Sequence, residues 1–462
     1  MFRDLPRYGS YKVAGEWVVE VPRSWGWEPA RTIFSERKDA GHVEEQMLSV
    51  TIGRGVIPQT DLLSSTSKKD SSNVDKSKYK LVGPGDVVYN KMRAWQGAAG
   101  GSNYRGIVSP AYVVMSPREA LTEYMHYVVR TPQFAKEAER WSYGITSDQW
   151  SLRPEHFKMI RFPLPPIEEQ AAIVKYLAHA NARIDKAISA KRRLISLLAE
   201  QNTSTLRALI VGEEYPGARK SSGLHWVGGL PADWEVRKLR SLFARQGSGT
   251  TPSGEGYYGG GRPWIMSGDL NDAHVSSSAR TVTTLALEEV SSLREHPAGS
   301  LVIAMYGATI GRTGILEMSA STNQACSVLS DPKSDVNVAF VQLAMLVGRP
   351  ALQELGAGGG QPNVNAEKIA QFRIPLPPLT EQKRIVREYQ AVAAGVDLIR
   401  GKAEREIMLL QEFRTRLVAD VVTGQVDVRA IAATLPDAPE SFDNTVSATD
   451  DDVEDVLGQG EE

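Results

Sequence analysis

The sequence predicts an α/β protein: two mixed α/β heads separated by two long antiparallel helices that form a coiled coil, built as an internal repeat with pseudo-two-fold symmetry. Three observations predict it. RFPLPPIEEQ at residues 161–170 recurs as RIPLPPLTEQ at 373–382. Each copy opens a long stretch almost free of helix breakers. The regions between carry short apolar runs bounded by glycine and proline turns, the signature of strands.

A chain of 462 residues exceeds one ordinary core. The repeat divides it into a first head (1–160), a first helix (161–212), a second head (213–372), a second helix (373–434) and an acidic, disordered tail (435–462). Composition is globular, with 42% apolar and 23% charged residues. No run approaches the roughly 20 apolar residues of a membrane span, and the start lacks a signal-peptide core, so a cytoplasmic location is expected. A single cysteine, Cys326, excludes an internal disulfide and a cysteine-based zinc site. The net charge of −2 conceals a division, because the tail from Leu435 holds ten Asp or Glu and no Lys or Arg. The first head counts 22 basic and 18 acidic residues, whereas 211–372 counts 13 and 15.

The first helix follows Pro165 and Pro166, has Glu168 and Glu169 at its amino end, and meets neither Pro nor Gly from Ile167 to Val211. Gly212 and Gly424 stand where the two copies should stop. Identities persist through the helices: Gln170 matches Gln382, Ile173 matches Ile385, Asp185 matches Asp397, and Leu197 and Leu198 match Leu409 and Leu410. Apolar residues alternate by four and three, the rhythm of paired helices. This spacing places Val174, Leu177, Ile184, Ile188, Ile195 and Leu198 against Val386, Tyr389, Val396, Ile407, Leu410 and Leu417. Asn181, Lys191, Arg400, Gly395 and Gly401 interrupt the seam. About 40 residues would make a rod of about 60 Å.

Upstream of each helix, Trp17, Pro22, Trp25 and Phe34 match Trp226, Pro231, Trp234 and Phe243. LVGPGDVVYNKMRAWQG (81–97) and HPAGSLVIAMYGATIG (296–311) each read as turn, apolar strand and then a polar, aromatic loop. Catalytic signatures are missing. There is no G-x-x-x-x-G-K-[ST] phosphate loop, no Asn-Pro-Pro-aromatic motif for base methylation, and no ligand-spaced pair among seven histidines. These absences favour a recognition module over an enzyme, with no catalytic residue and no metal site assigned.

The combination resembles the specificity subunit of a type I restriction-modification system. The resemblance rests on the two PLPPxxEQ turns with their helices, the W-x4-P-x2-W segments, and the strings SGTTPS, PWIMSGDL, YGATIGRTG, TNQAC and GGGQPNVN. The first head departs from these strings, with WSYGITSDQWSL where the second has GAGGGQPNVNAE. The resemblance implies a non-catalytic chain in which each head is a target recognition domain reading one half of a split sequence in double-stranded DNA. The helices would set the unread gap. Two methyltransferase subunits bringing S-adenosylmethionine would dock along the helices, and restriction subunits using ATP and Mg would join them.

On that reading, phosphate contacts fall to Lys68, Lys69, Lys76, Lys78, Lys80, Arg93 and Arg105 in the first head and Arg245, Arg262 and Arg312 in the second. Base contacts fall to Asn90, Lys91, Tyr143, Thr146, Ser147 and Gln149, then Thr250, Thr251, Tyr257, Tyr258, Ser267, Tyr306, Thr309, Asn323, Gln361 and Asn363. The bland reading of the same residues is solvated lysine surface and turn amides bonded to their own backbone. Two rivals stand beside the DNA reading. One is a scaffold whose twin heads hold proteins, favoured by the acidic second head; the other is a free-standing enzyme.

Overall fold

The computed structural model describes residues 5–63, 75–144, 150–356 and 363–437. The acidic tail beyond Asp437 lies outside them. The chain divides into two compact units, unit 1 from residues 1–191 with 405–462 and unit 2 from residues 192–404. Four helices matter below: α1 (Thr122–Val129), α2 (Ile167–Val211), α3 (Val338–Glu354) and α4 (Leu379–Val422). Both long helices contribute residues to both units. Among the described residues no helix is long and apolar enough to cross a membrane.

In unit 1 six strands position the candidate site: β1 (Gly26–Pro29), β2 (Phe34–Arg37), β3 (Val87–Asn90), β4 (Ala99–Gly101), β5 (Tyr112–Pro117) and β6 (Arg161–Leu164). Strands β1 and β6 pair antiparallel, and the other four form a sheet in the order β2-β5-β3-β4. Strand β3 is buried along its whole length, as its apolar run requires. The GPGD turn before it is fixed by Asp86, whose carboxylate accepts from the Gly83 N–H, the Ser116 hydroxyl and Arg37. The core packs Trp25, Phe34, Tyr124, Phe134, Phe157 and Phe162 against Ile173, Tyr176 and Leu177 of α2 and Leu417, Val421 and Val422 of α4.

In unit 2 the corresponding strands are β7 (Glu235–Lys238), β8 (Phe243–Ser248), β9 (Ala273–Val275), β10 (Leu301–Ala304), β11 (Thr313–Leu316), β12 (Cys326–Pro332) and β13 (Arg373–Leu376). Strands β7 and β13 pair as β1 and β6 do. The main sheet runs β8-β12-β10-β11-β9, the order of unit 1 with β9 added parallel to β11. Ser300 and Ser330 share a hydrogen bond of 2.8 Å at the turn where unit 1 uses Asp86 and Ser116. Two heads with dissimilar sequences therefore share one strand order.

The repeated turn does the same work twice. Gln170, 1% exposed, accepts from the Leu121 N–H ahead of α1 and donates to the Pro165 carbonyl. Gln382, fully buried, accepts from the Asn337 N–H ahead of α3 and donates to the Asp335 and Pro377 carbonyls. Each glutamine ties a long helix's first turn to the segment that precedes a head helix. At the far ends Gly212 (φ +63°) and Gly424 (φ +77°) stop the helices in left-handed conformation. A Cβ on Gly212 would meet Pro231 and Trp234, and one on Gly424 would meet Pro22 and Trp25, which explains why the tryptophan segments recur with the helices.

Within unit 1, Arg414 of α4 pairs with Asp185 of α2, and Lys191 pairs with Glu406, so the helices run in opposite directions there. Within unit 2, Asn202 donates to the Tyr389 hydroxyl at 3.2 Å. Leu177, Ile184, Ile188, Val386 and Leu417 are buried; Val174, Ile195, Leu198, Tyr389, Val396, Ile407 and Leu410 are half-buried. The buried face widens at the helix ends to include Tyr176, Ala180, Leu206 and Ile210, because there the helices also cover a head.

Candidate nucleic-acid interface

In each unit one backbone junction gathers three loops. The residue after β3, Lys91, donates its N–H to the Ala111 carbonyl ahead of β5, and its own carbonyl accepts from the Leu152 N–H at 2.8 Å. In unit 2 Met305, after β10, donates to the Ala325 carbonyl ahead of β12 and accepts from the Val364 N–H at 3.0 Å. A short 3-10 turn follows at each place, Ala94–Gln96 and Gly307–Thr309. The sheet thus presents a turn, a pre-strand loop and a returning loop side by side, twice.

Several candidate base readers lie at these junctions. Tyr306 is exposed, bridges Asn363 through the backbone, and its hydroxyl has no partner among the described residues. Asn363 is exposed beside it. Thr309 turns its hydroxyl back to the Tyr306 carbonyl. Thr251 bonds to Gln324, an exposed amide that inspection of the sequence passed over although it sits inside TNQAC. In unit 1 Tyr143 is exposed and bridges Ser151. Lys91 is half-buried, as are Met92's neighbours Arg93 and Trp95.

Other candidates serve the scaffold. Asn90 is 1% exposed and its Oδ1 accepts from the Met92 N–H; Asn323 is 8% exposed and accepts from the Ala325 N–H. Both hold a junction turn rather than face outward. Thr250 donates to the Ser292 carbonyl, Tyr257 to Glu289 and Tyr258 to the Pro252 carbonyl. Ser267 opens a 3-10 turn whose start is tied by Asp269 to the Met266 N–H. Thr146, Ser147, Gln149 and Gln361 lie outside the described residues, as do Lys68 and Lys69.

The cations divide in the same way. Arg105 pairs with Glu45 at 2.7 Å, Arg262 with Glu295 at 2.8 Å, and Arg245 with Asp331. A phosphate would have to compete with those carboxylates. Arg312 is exposed, and its guanidinium has no carboxylate or hydrogen-bond partner among the described residues. Lys78 is exposed and Lys76 half-buried. Lys80 donates to the Tyr112 carbonyl, and its pKa is lowered by burial and then by the nearby Lys91 ammonium. Both effects favour its neutral form. Among the described residues no group of three or more His, Cys, Asp or Glu could hold a metal ion.

Residues 231–407 match the family described as type I restriction modification DNA specificity domain. The type I restriction enzyme MjaVIII specificity subunit of Methanocaldococcus jannaschii is 22% identical over 76% of this chain and 83% of its own length. The EcoKI specificity subunit of Escherichia coli K12 is 18% identical over 88% and 90%. Over most of its length the chain is similar to type I specificity subunits. Two solved structures share its fold. One is a chain of a type I restriction-modification complex, with TM-score 0.63 and 16% identity over 88% of this chain and 99% of that one. The other is the HsdS subunit from Thermoanaerobacter tengcongensis, with TM-score 0.50 and 17% identity over 88% and 98%. The specificity-domain match begins at Pro231 and ends within α4. It therefore covers the second head, whose strings carried the resemblance, while the first head joins the relatives through the longer alignments.

Proposed function

We propose that this chain is the DNA-specificity subunit of a type I restriction-modification complex, reading a bipartite, asymmetric target with one head on each half. The observation that carries the reading is the recurrence of the three-loop junction in two heads that otherwise share little sequence. One scaffold presenting two different loop sets suits two different half-sites. Lysine and arginine side chains around each junction would position the duplex, and the loop tips would read it.

In this proposal α2 and α4 pair as an antiparallel coiled coil that fixes the gap between half-sites and offers a docking surface to two methyltransferase subunits. Leu197 and Leu409, identical in the repeat, are 47% and 55% exposed although their neighbours Leu198 and Leu410 turn inward. Exposed leucines kept at equivalent places suit two equivalent partners. S-adenosylmethionine enters with those partners, and ATP and Mg with the restriction subunits; the chain itself performs no chemistry.

The helices supply the test. Inserting seven residues, two turns, into each long helix lengthens each by about 10 Å, equal to about three base pairs at roughly 3.4 Å each. Methylome sequencing should then report the same two half-motifs with a gap about three base pairs longer. An unchanged gap with both half-motifs intact would remove the spacer role. A protein scaffold, the competing reading, predicts that the assembled complex binds genomic fragments without the steep decline with salt that phosphate contact requires.

A further inference from the structure

The two junctions differ in what they offer a base pair, and this inference rests on the DNA reading above. In unit 1 the turn after β3 bonds two of its side chains to its own backbone. The Asn90 Oδ1 accepts from the Met92 N–H at 2.9 Å, and the Trp95 indole N–H donates to the Met92 carbonyl at 2.8 Å. The Trp95 ring also meets Trp150 edge-on, with centroids 5.5 Å apart, so the indole is pinned from two sides. What remains outward is the Met92 side chain, 37% exposed, with the Gln96 side chain at the far end of the 3-10 turn. The equivalent turn of unit 2 instead presents the Tyr306 hydroxyl, beside the exposed Asn363 of the returning loop, with Arg312 following its 3-10 turn.

In the major groove every base pair shows hydrogen-bond donors or acceptors, but only one apolar group stands there, the thymine 5-methyl. A pinned indole is a rigid backing, and a thioether chain adapts to a small apolar target. We propose that Met92, backed by Trp95 and Trp150, reads a thymine methyl in the half-site of unit 1, whereas unit 2 reads base edges by hydrogen bonds from Tyr306 and Asn363. The two heads then discriminate by different chemistry on the same scaffold.

The test uses the full chain assembled with its modification subunits. The bipartite motif is first read from genome methylation, and the unit 1 half is assigned as the half that stays constant when residues 238–371 are exchanged for those of another member. Duplexes are then made with deoxyuridine in place of thymine in one half at a time. Removing the methyl in the unit 1 half should weaken binding about fourfold for the contacted base, the worth of one buried carbon, while the same change in the other half should stay within about twofold. In Met92→Ala the difference between thymine and uracil should vanish. Equal binding of both duplexes by the native complex, a unit 1 half without thymine on either strand, or a difference that persists in Met92→Ala would each overturn the proposal. A complex with no sequence preference at all would instead remove the DNA reading beneath it, so the two failures are told apart.

Discussion

The two copies of the EQ pair close their units differently. In unit 1 Glu169 is buried and accepts from the Tyr8 hydroxyl at 2.6 Å and the Trp25 indole N–H at 3.0 Å. Its counterpart Glu381 takes Arg384 of its own helix, and the Trp234 indole nitrogen is buried without a hydrogen-bond partner among the described residues. The neighbouring glutamines, by contrast, keep one task in both units. The difference teaches which half of the repeated pair is structurally obligatory: the glutamine joins helix to head through main-chain groups, which any head can supply. The glutamate depends on side chains: Tyr215 meets Trp234 edge-on as Tyr8 meets Trp25, but it gives its hydroxyl to Asp233 and leaves Glu381 without it.

This contrast is easiest to break at the glutamines. Gln382→Ala strips partners from one N–H and two carbonyls in a buried site and should destabilise the chain by about 3 kcal/mol; Gln170→Ala, with one N–H and one carbonyl, should cost about 2 kcal/mol. Chemical denaturation of the purified complex measures both, and a negligible loss in either would show that the clamp is dispensable. Next come the helix stops. Gly424→Ala should cost about 2 kcal/mol, through a Cβ only 2.3 Å from Pro22 and a left-handed backbone. Gly212→Ala, where the nearest atom is 2.8 Å away, should cost about 1 kcal/mol. Reversal of that order would mean that Pro231 yields less readily than Pro22. The smallest effect sharpens the glutamate difference. Glu169→Gln should cost about 1 kcal/mol by weakening two bonds to a charged acceptor, whereas Glu381, paired one turn along its own helix with the half-exposed Arg384, should tolerate Glu381→Gln within about 0.5 kcal/mol of the parent. Equal losses at both would contradict the division of labour drawn here.

Much of the scaffold was legible because it is written in breakers and periods. The helix bounds follow from the absence of Gly and Pro between Ile167 and Val211 and from the glycines beyond each end. The widening of the buried face to Tyr176, Ala180, Leu206 and Ile210 was hidden, since the heads add their own apolar residues to those of the partner helix there. The candidate site was less legible. Asn90 and Asn323 were selected for their amides, yet both amides bond to nearby backbone, the habit of such side chains in turns. Met92, Trp95, Trp150 and Gln324 were passed over. The first three lack obvious hydrogen-bonding faces, and Gln324 gains its place only because Ala325 is drawn to Met305.

Unit 1 is assembled from two stretches of chain that more than two hundred residues separate, whereas unit 2 is continuous. During synthesis the later unit therefore has all of its own residues available first. The earlier one must wait for Leu417, Val421 and Val422 to emerge before Tyr176 and Trp25 can be covered. A ribosome that stalls near residue 404 would release a finished second head beside an unsealed first one, with an apolar face open to chaperones and proteases. Premature termination should accordingly be punished by degradation starting from the amino-terminal end, the oldest part of the polypeptide.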